Sequence, residues 1–349
     1  MILKFSEVLE IKNGKNQKKV ENKNGKYPIY GSGGIIGWAN EYLCEKENVI
    51  IGRKGSINKP IFVDTPFWNV DTAFGLIANR EILDSKYLYY FCLSFDFEKL
   101  STTVTIPSLT KNNLLNIKFN VPSLAKQRKI VKKLDKIQEI IKKYQQELIE
   151  FEKLSKSIFV KLKLKNKNWD IKSFAEVTKV SQGLQIPISK RKKENGENRF
   201  KYITIQFLNG SKEVEYIENP RENVICSKED ILMTRTGNTG MVVTGVSGVF
   251  HNNFFIVKYD KNILLKEYLV AYLNSKEVQE EIKKRAGTST IPDLNHGEFY
   301  KIKILIPPIT FQEKFSEQIQ VIAKSKIEIQ KSIEETQKLF DSLMEKYFG

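Results

Sequence analysis

The chain repeats itself. Thr103-Val104-Thr105-Ile106-Pro107-Ser108-Leu109 returns 185 positions later as Thr288-Ser289-Thr290-Ile291-Pro292-Asp293-Leu294. The same offset aligns Ile117-Lys118 with Ile302-Lys303, Pro122 with Pro307 and Gln127 with Gln312. Upstream, Tyr87-Leu88 matches Tyr268-Leu269, and Arg53-Lys54-Gly55 matches Arg235-Thr236-Gly237. Near the start, Phe5, Glu7, Val8 and Gly14 match Phe174, Glu176, Val177 and Gly183. The order never breaks. A tandem duplication of this extent confines the chain to two copies of one architecture.

Each copy has the same grammar. Short β-rich runs come first (Val49 to Arg53 and Ala73 to Ala78; Ile231 to Arg235 and Phe254 to Tyr259), punctuated by glycines. A helical stretch follows, near Ser85 to Leu100 and near Leu265 to Arg285, then the Thr-x-Thr-Ile-Pro-x-Leu segment and a strand ending at Pro122 or Pro307. The expected fold is mixed α/β (α+β), with globular domains over 1–123 and 168–308 and helices over 124–167 and 309–349. Between Gly14 and Arg53 the first copy is shorter than the second between Gly183 and Arg235. The extra residues fall in polar, turn-rich sequence, where loops tolerate length change.

The two long helices announce themselves by heptads. Ile130, Leu134, Ile137, Ile141, Tyr144, Leu148 and Phe151 recur with 4-3 spacing, continuing past Ser155 to Ile158 and Leu162. The second series is Phe315, Ile319, Ile322, Lys326, Ile329, Ile333, Thr336, Phe340, Leu343 and Tyr347. Sustained 3.5-residue periodicity is a coiled-coil signature. Thr310 with Glu313 forms a capping box after Pro307-Pro308, and neither helix holds an internal proline or glycine. The economical arrangement packs the two seams on each other, antiparallel, with Lys326 and Thr336 fixing the register. The alternative is that each seam recruits another subunit's helix.

Charge narrows the partner. The chain carries 57 Lys+Arg against 41 Asp+Glu, a net charge of +16. Residues 124–167 hold fourteen basic and five acidic side chains, more than half of the excess. Such a stripe adds sequence-independent affinity for a polyanion, double-stranded DNA above all. The start of the chain lacks the basic and apolar runs of a signal peptide, and no apolar stretch approaches a membrane span. Three widely spaced cysteines, Cys44, Cys92 and Cys226, fit neither a disulfide framework nor a zinc site. A cytoplasmic protein without membrane partners is expected.

Two related basic domains on a stiff spacer form a ruler for two short, non-identical DNA subsites, about 34 Å or a multiple of it apart. Arg53-Lys54-Gly55-Ser56 and Arg235-Thr236-Gly237-Asn238 end strands in glycine turns, a placement that offers arginine to guanine and asparagine to adenine. Lys18, Lys19, Lys23 and Lys26, and the run Lys190-Arg191-Lys192-Lys193, suit phosphates. The Thr-x-Thr-Ile-Pro-x-Leu segments are expected to pack each domain against its helix. Gly31-Ser32-Gly33-Gly34 reads as a plain loop.

With the Pro-x-x-x-x-Gln helix entries (Pro122 with Gln127, Pro307 with Gln312), the ordered set resembles the specificity subunit of a type I restriction-modification system over the full chain. That resemblance implies two target recognition domains separated by two antiparallel spacer helices, each domain reading half of a bipartite asymmetric site. It further implies docking of two methyltransferase subunits and of restriction subunits, which carry the S-adenosylmethionine, ATP and Mg²⁺ sites. The chain itself lacks a phosphate loop ending in Lys-Ser/Thr, and Ile306-Pro307-Pro308-Ile309 lacks the polar leader of an adenine methyltransferase tetrad. His251 and His296 have no metal-ligand company in the sequence. No catalytic residue, bound cofactor or metal is therefore assigned to this chain. The readings left open are a methylation-only or fused-type complex, a divergent nuclease or methyltransferase, and a coiled-coil scaffold with nonspecific nucleic-acid affinity.

Overall fold

A computed structural model describes residues 1–101, 106–165, 169–211, 213–287 and 292–349. The Thr-x-Thr halves of both repeat segments, and Ile291, lie outside the described residues. The chain divides into two compact units: Met1–Gln146 with Ile329–Gly349, and Glu147–Glu328. Both cuts fall inside the long helices, Leu124–Lys165 and Ile309–Phe348. Each unit thus contains one globular part and half of each helix.

In the first unit an antiparallel sheet takes the order Leu9–Asn13, Ala73–Ala78, Asn48–Gly52, Ile61–Val63. A three-stranded sheet places Tyr27–Gly31 between Gly34–Ala39 and Trp68–Asn69, the last pairing parallel. In the second unit the corresponding order is Thr178–Gln182, Phe254–Tyr259, Leu232–Thr234, Val242–Val243. Its other sheet runs Tyr216–Glu218, Arg199–Ile203, Gly248–Phe250, Ile225–Cys226, again with one parallel pair at the centre. Even the register is kept: Asn13 opposes Phe74 as Gln182 opposes Phe255. The duplication in sequence is a duplication in hydrogen bonding.

One pair of matched glycines shows why the frame resists change. A Cβ added to Gly14 would fall 1.8 Å from the Val70 carbonyl oxygen, and one added to Gly183 would fall 2.2 Å from that of Phe250. Backbone from one sheet touches backbone from the other there, and only the absent side chain permits it. Gly14→Ala is expected to lower stability by about 3 kcal/mol, because main chain rather than a flexible side chain has to move. Urea unfolding checks this: the midpoint should drop with the slope unchanged.

A helix covers each antiparallel sheet, Ser85–Ser94 in the first unit and Lys266–Leu273 in the second. The expected helical stretch beyond these continues as a short 3₁₀ turn, Phe97–Leu100, in one copy and as a second helix, Lys276–Ala286, in the other. The long helices pack against these covers. In the first unit Ile130, Leu134 and Ile137 share a core with Phe340 and Met344. In the second unit Phe159 meets Phe315, ring centroids 6.0 Å apart, and Lys326 Nζ lies 3.4 Å from Glu152 Oε1. The early half of each helix therefore meets the late half of the other, and the pairing is antiparallel and within one chain.

The seam departs from strict 4-3 spacing where a cover helix bears on it. Val131, Phe159 and Met344 are buried although the heptad series skips them. Ile141, Tyr144, Leu148, Ile329 and Ile333 are only half-buried. The Thr336 hydroxyl donates to the Ser332 carbonyl of its own helix, so it adds nothing across the seam. Side chains at these sites answer to three neighbours, not two, which widens the apolar stripe beyond a and d positions.

Each long helix is locked to its globular part by one glutamine. Gln127 is fully buried; its Oε1 accepts from the Asp84 N–H at 2.8 Å, and its Nε2 donates to the carbonyls of Ile82 and Pro122. Gln312 repeats this with the Leu265 N–H and the carbonyls of Ile263 and Pro307.

Candidate nucleic-acid interface

In both units the candidate residues gather where the central strands end. In the first, the hairpin tip Ser32-Gly33 stands beside the turn after Gly52, and the positive φ of Gly55 (80°) closes that turn. The turn is tied down by main chain: Arg53 N–H donates to Thr72 O, Gly55 N–H to Pro107 O, and Leu109 N–H to Arg53 O. The described Pro-Ser-Leu part of the repeat segment thus packs on the arginine turn, not only on a helix; Leu109 itself is buried in the core. Arg53 and Lys54 are exposed. The Arg53 guanidinium reaches one carbonyl, Asp71 O at 3.4 Å, and sits 5.9 Å from the Phe74 ring centre. Ser56 is half-buried.

The second unit builds the same turn and uses its arginine differently. Arg235 Nη2 donates to Asp293 Oδ2 at 2.6 Å, and its guanidinium stacks 5.7 Å from the Phe255 ring. Its side chain keeps only 17% exposure. Ser108 occupies the position of Asp293 in the first copy, so Arg53 has no such carboxylate. Arg235 thus stands on the expected glycine turn but is held by a carboxylate, where Arg53 is exposed. The Thr236 hydroxyl is buried as well, without a hydrogen-bond partner among the described residues. Gly237 and Asn238 are what this turn presents to solvent.

The lysine clusters divide the same way. Lys18, Lys19, Lys23 and Lys26 are exposed on the link between Asn13 and Tyr27, with Lys26 5.6 Å from the Tyr27 ring centre. In the second unit Arg191 is turned inward: Nε and Nη2 donate to Ile186 O, Nη1 pairs with Glu215 at 2.9 Å, and the plane lies over Tyr202. Lys192 and Lys193 lie 3.9 Å from Glu218 and Glu213. Lys190 is exposed and has no ion pair among the described residues.

The largest difference between the two faces is one connection. The two-residue link Ser32-Gly33 is replaced in the second unit by residues 204–215, which carry the short helix Ile205–Leu208. Beside it lies His251, whose Nδ1 accepts from the Asn253 N–H at 3.1 Å. Burial, and then the nearby Arg191 charge, hold this imidazole below its ordinary pKa, so the neutral form carries its proton on Nε2. In the sequence His251 has no metal-ligand company, and its placement on this face has no local signal.

The family profile described as "Type I restriction modification DNA specificity domain" matches residues 1–151 and 166–338, nearly the whole chain and once per repeat. The chain belongs to this specificity family. A putative type I restriction enzyme specificity subunit of Haemophilus influenzae is 24% identical over 328 residues, covering 83% of this chain and 78% of its own. The MjaIX specificity subunit of Methanocaldococcus jannaschii is 23% identical over 335 residues, covering 85% and 74%. Among solved structures, the type I system S subunit from M. genitalium superposes with a TM-score of 0.65 at 16% identity, over 100% of this chain and 96% of that one. A chain from a structure concerned with complex assembly and conformational transition of the type I system gives 0.58 at 16% identity, over 100% and 97%. At such identity the structural likeness speaks for the fold. Among the described residues, no helix of this member is long and apolar enough to cross a membrane.

Proposed function

We propose that this chain is the noncatalytic DNA-recognition subunit of a type I restriction-modification complex, and that each unit reads one half of a split, asymmetric target. One observation carries the reading: two copies of one frame present matched faces whose exposed side chains differ. Arg53 and Lys54 stand out on one face, where Asn238 and the 204–215 link stand on the other. A shared frame gives a shared mode of docking, and unlike side chains give unlike half-sites. The exposed lysines add affinity without sequence preference.

The partners follow the same logic. Each unit holds a cleft between its cover helix and the paired long helices. The first is about 830 Å³ and is lined by Leu93, Ile141 and Phe340; the second is about 910 Å³ and is lined by Val270, Phe159 and Ile319. Two corresponding clefts support docking of two copies of one partner, the methyltransferase subunit, with restriction subunits joining that assembly. S-adenosylmethionine, ATP and Mg²⁺ belong to those partners in this reading.

The test is selection from random duplex DNA by the chain co-purified with its methyltransferase subunits, followed by mapping of methylated adenines. The expected result is one motif of two unlike halves around a gap of fixed length. The chain alone, given DNA, Mg²⁺ and S-adenosylmethionine, should turn nothing over. A scaffold would enrich no sequence, and turnover without partners would reveal an enzyme.

A further inference from the structure

We infer that the recess behind the 204–215 link of the second unit is an adenine-reading pocket, with Gln206 and Asn253 as its specificity-determining side chains. This rests on the DNA-reading role proposed above and names the chemistry of one position within it.

The recess measures about 390 Å³ and opens on the same face as the Arg235–Asn238 turn; Arg235 N–H donates to Asn253 O. Its walls include Arg191, Glu215, Tyr202, His251, Gln206 and Asn253. The hydrogen bonds these residues already make limit what the recess can recognise. Each Arg191 nitrogen donates inward, to Glu215 or Ile186 O, and the guanidinium lies over the Tyr202 ring. The Tyr202 hydroxyl donates to Leu184 O and accepts from the Ile186 N–H. Glu215 is held by Arg191, and Glu213 lies 3.9 Å from Lys193. The Thr204 hydroxyl caps the Phe207 N–H.

Among the described residues of the lining, two carboxamides have neither oxygen nor nitrogen engaged. The side chains of Gln206 and Asn253 have no hydrogen-bond partner among the described residues, and Gln206 is exposed at the mouth. His251 presents a further donor, Nε2–H, because its Nδ1 is occupied by the Asn253 N–H. A guanine edge calls for a pair of donors such as an arginine fork, and the Arg191 fork is turned onto Glu215 and Ile186 O. A cytosine edge calls for a carboxylate acceptor at the base; here Glu215 holds Arg191, and Glu213 is largely exposed, 3.9 Å from Lys193. A carboxamide offers one donor and one acceptor side by side, which matches N7 and the N6 amino group of adenine.

Placement supports the same conclusion. Among the described residues the first unit has no counterpart, since the Ser32-Gly33 turn leaves no link in which to build one. Half-sites read by one frame can differ only where the two faces differ, and this link is the largest such difference.

The experiment compares the co-purified complex with Gln206→Ala, Asn253→Ala and Gln206→Glu, each taken through random-duplex selection and methylation mapping. Gln206 is exposed on a one-turn helix, so its variants should fold, and circular dichroism with a urea midpoint confirms it. Either alanine variant should weaken adenine preference roughly ten- to a hundredfold at a single position in one half-site. The other half and the gap should stay unchanged. Gln206→Glu removes the donor and should move that position away from adenine toward a base that donates, such as cytosine. An unaltered motif in all three variants overturns the inference, as does a uniform loss of affinity over all sequences. Failure of the DNA-reading role itself is distinct: the wild-type complex would then select no split motif at all.

Discussion

Replacing Gln312 by alanine is expected to lower the free energy of unfolding by about 4 kcal/mol, and Gln127→Ala by a similar amount. Each amide is fully buried and makes three hydrogen bonds to main chain. Truncation leaves one N–H and two carbonyls, half-buried or buried, without these partners, and the cost of stranded polar groups exceeds the net worth of the bonds. Gln312→Glu should not restore stability. An ionised carboxylate can accept from Leu265 N–H but cannot donate to Ile263 O and Pro307 O, and burying its charge adds a further penalty. Urea unfolding of the three variants separates these terms. A loss below about 1 kcal/mol for Gln312→Ala would mean that water replaces the amide and that the helix entry is looser than described.

Phe315→Ala should cost about 4 kcal/mol, in the range of large-to-small changes in a packed core. Its ring is 1% exposed and lies 6.0 Å from Phe159 and 6.2 Å from Tyr268. This site joins three elements at once: the start of the second long helix, the end of the first and the cover helix. A double-mutant cycle between Phe315 and Phe159 tests the antiparallel pairing itself. Contacting rings should couple by about 1 kcal/mol, whereas helices paired with another subunit in a different register would show additive losses.

Much of this architecture was legible before any coordinates. Matching offsets located corresponding strands to within a residue or two: Val49 to Arg53 became Asn48–Gly52, and Phe254–Tyr259 was found as expected. The 4-3 spacing found both helices because periodicity is a local property. The Pro-x-x-x-x-Gln entries were visible as a repeated pattern, and the structure supplies their reason. Less legible were Val131, Phe159 and Met344, whose burial depends on a cover helix arriving from a distant part of the chain.

The partners of the candidate interface residues were less legible. Arg53 and Arg235 look alike in sequence, each opening a glycine turn after a strand. Only folding places Asp293, 58 residues away, against Arg235 and leaves Ser108 at the corresponding place near Arg53. The basic run at Lys190 looks uniform in sequence, but folding brings Glu215 to 2.9 Å from Arg191 and leaves Lys192 and Lys193 exposed, 3.9 Å from Glu218 and Glu213.

The sequence by itself determined that this protein is built twice over, from one strand-and-helix plan with two heptad helices. Repetition and periodicity are carried by neighbours along the chain. Tertiary structure alone decided which cations remain available to a polyanion and which amides line an open recess. Availability is what is left after distant groups have met, and a pairing between residues far apart in the chain leaves no local mark.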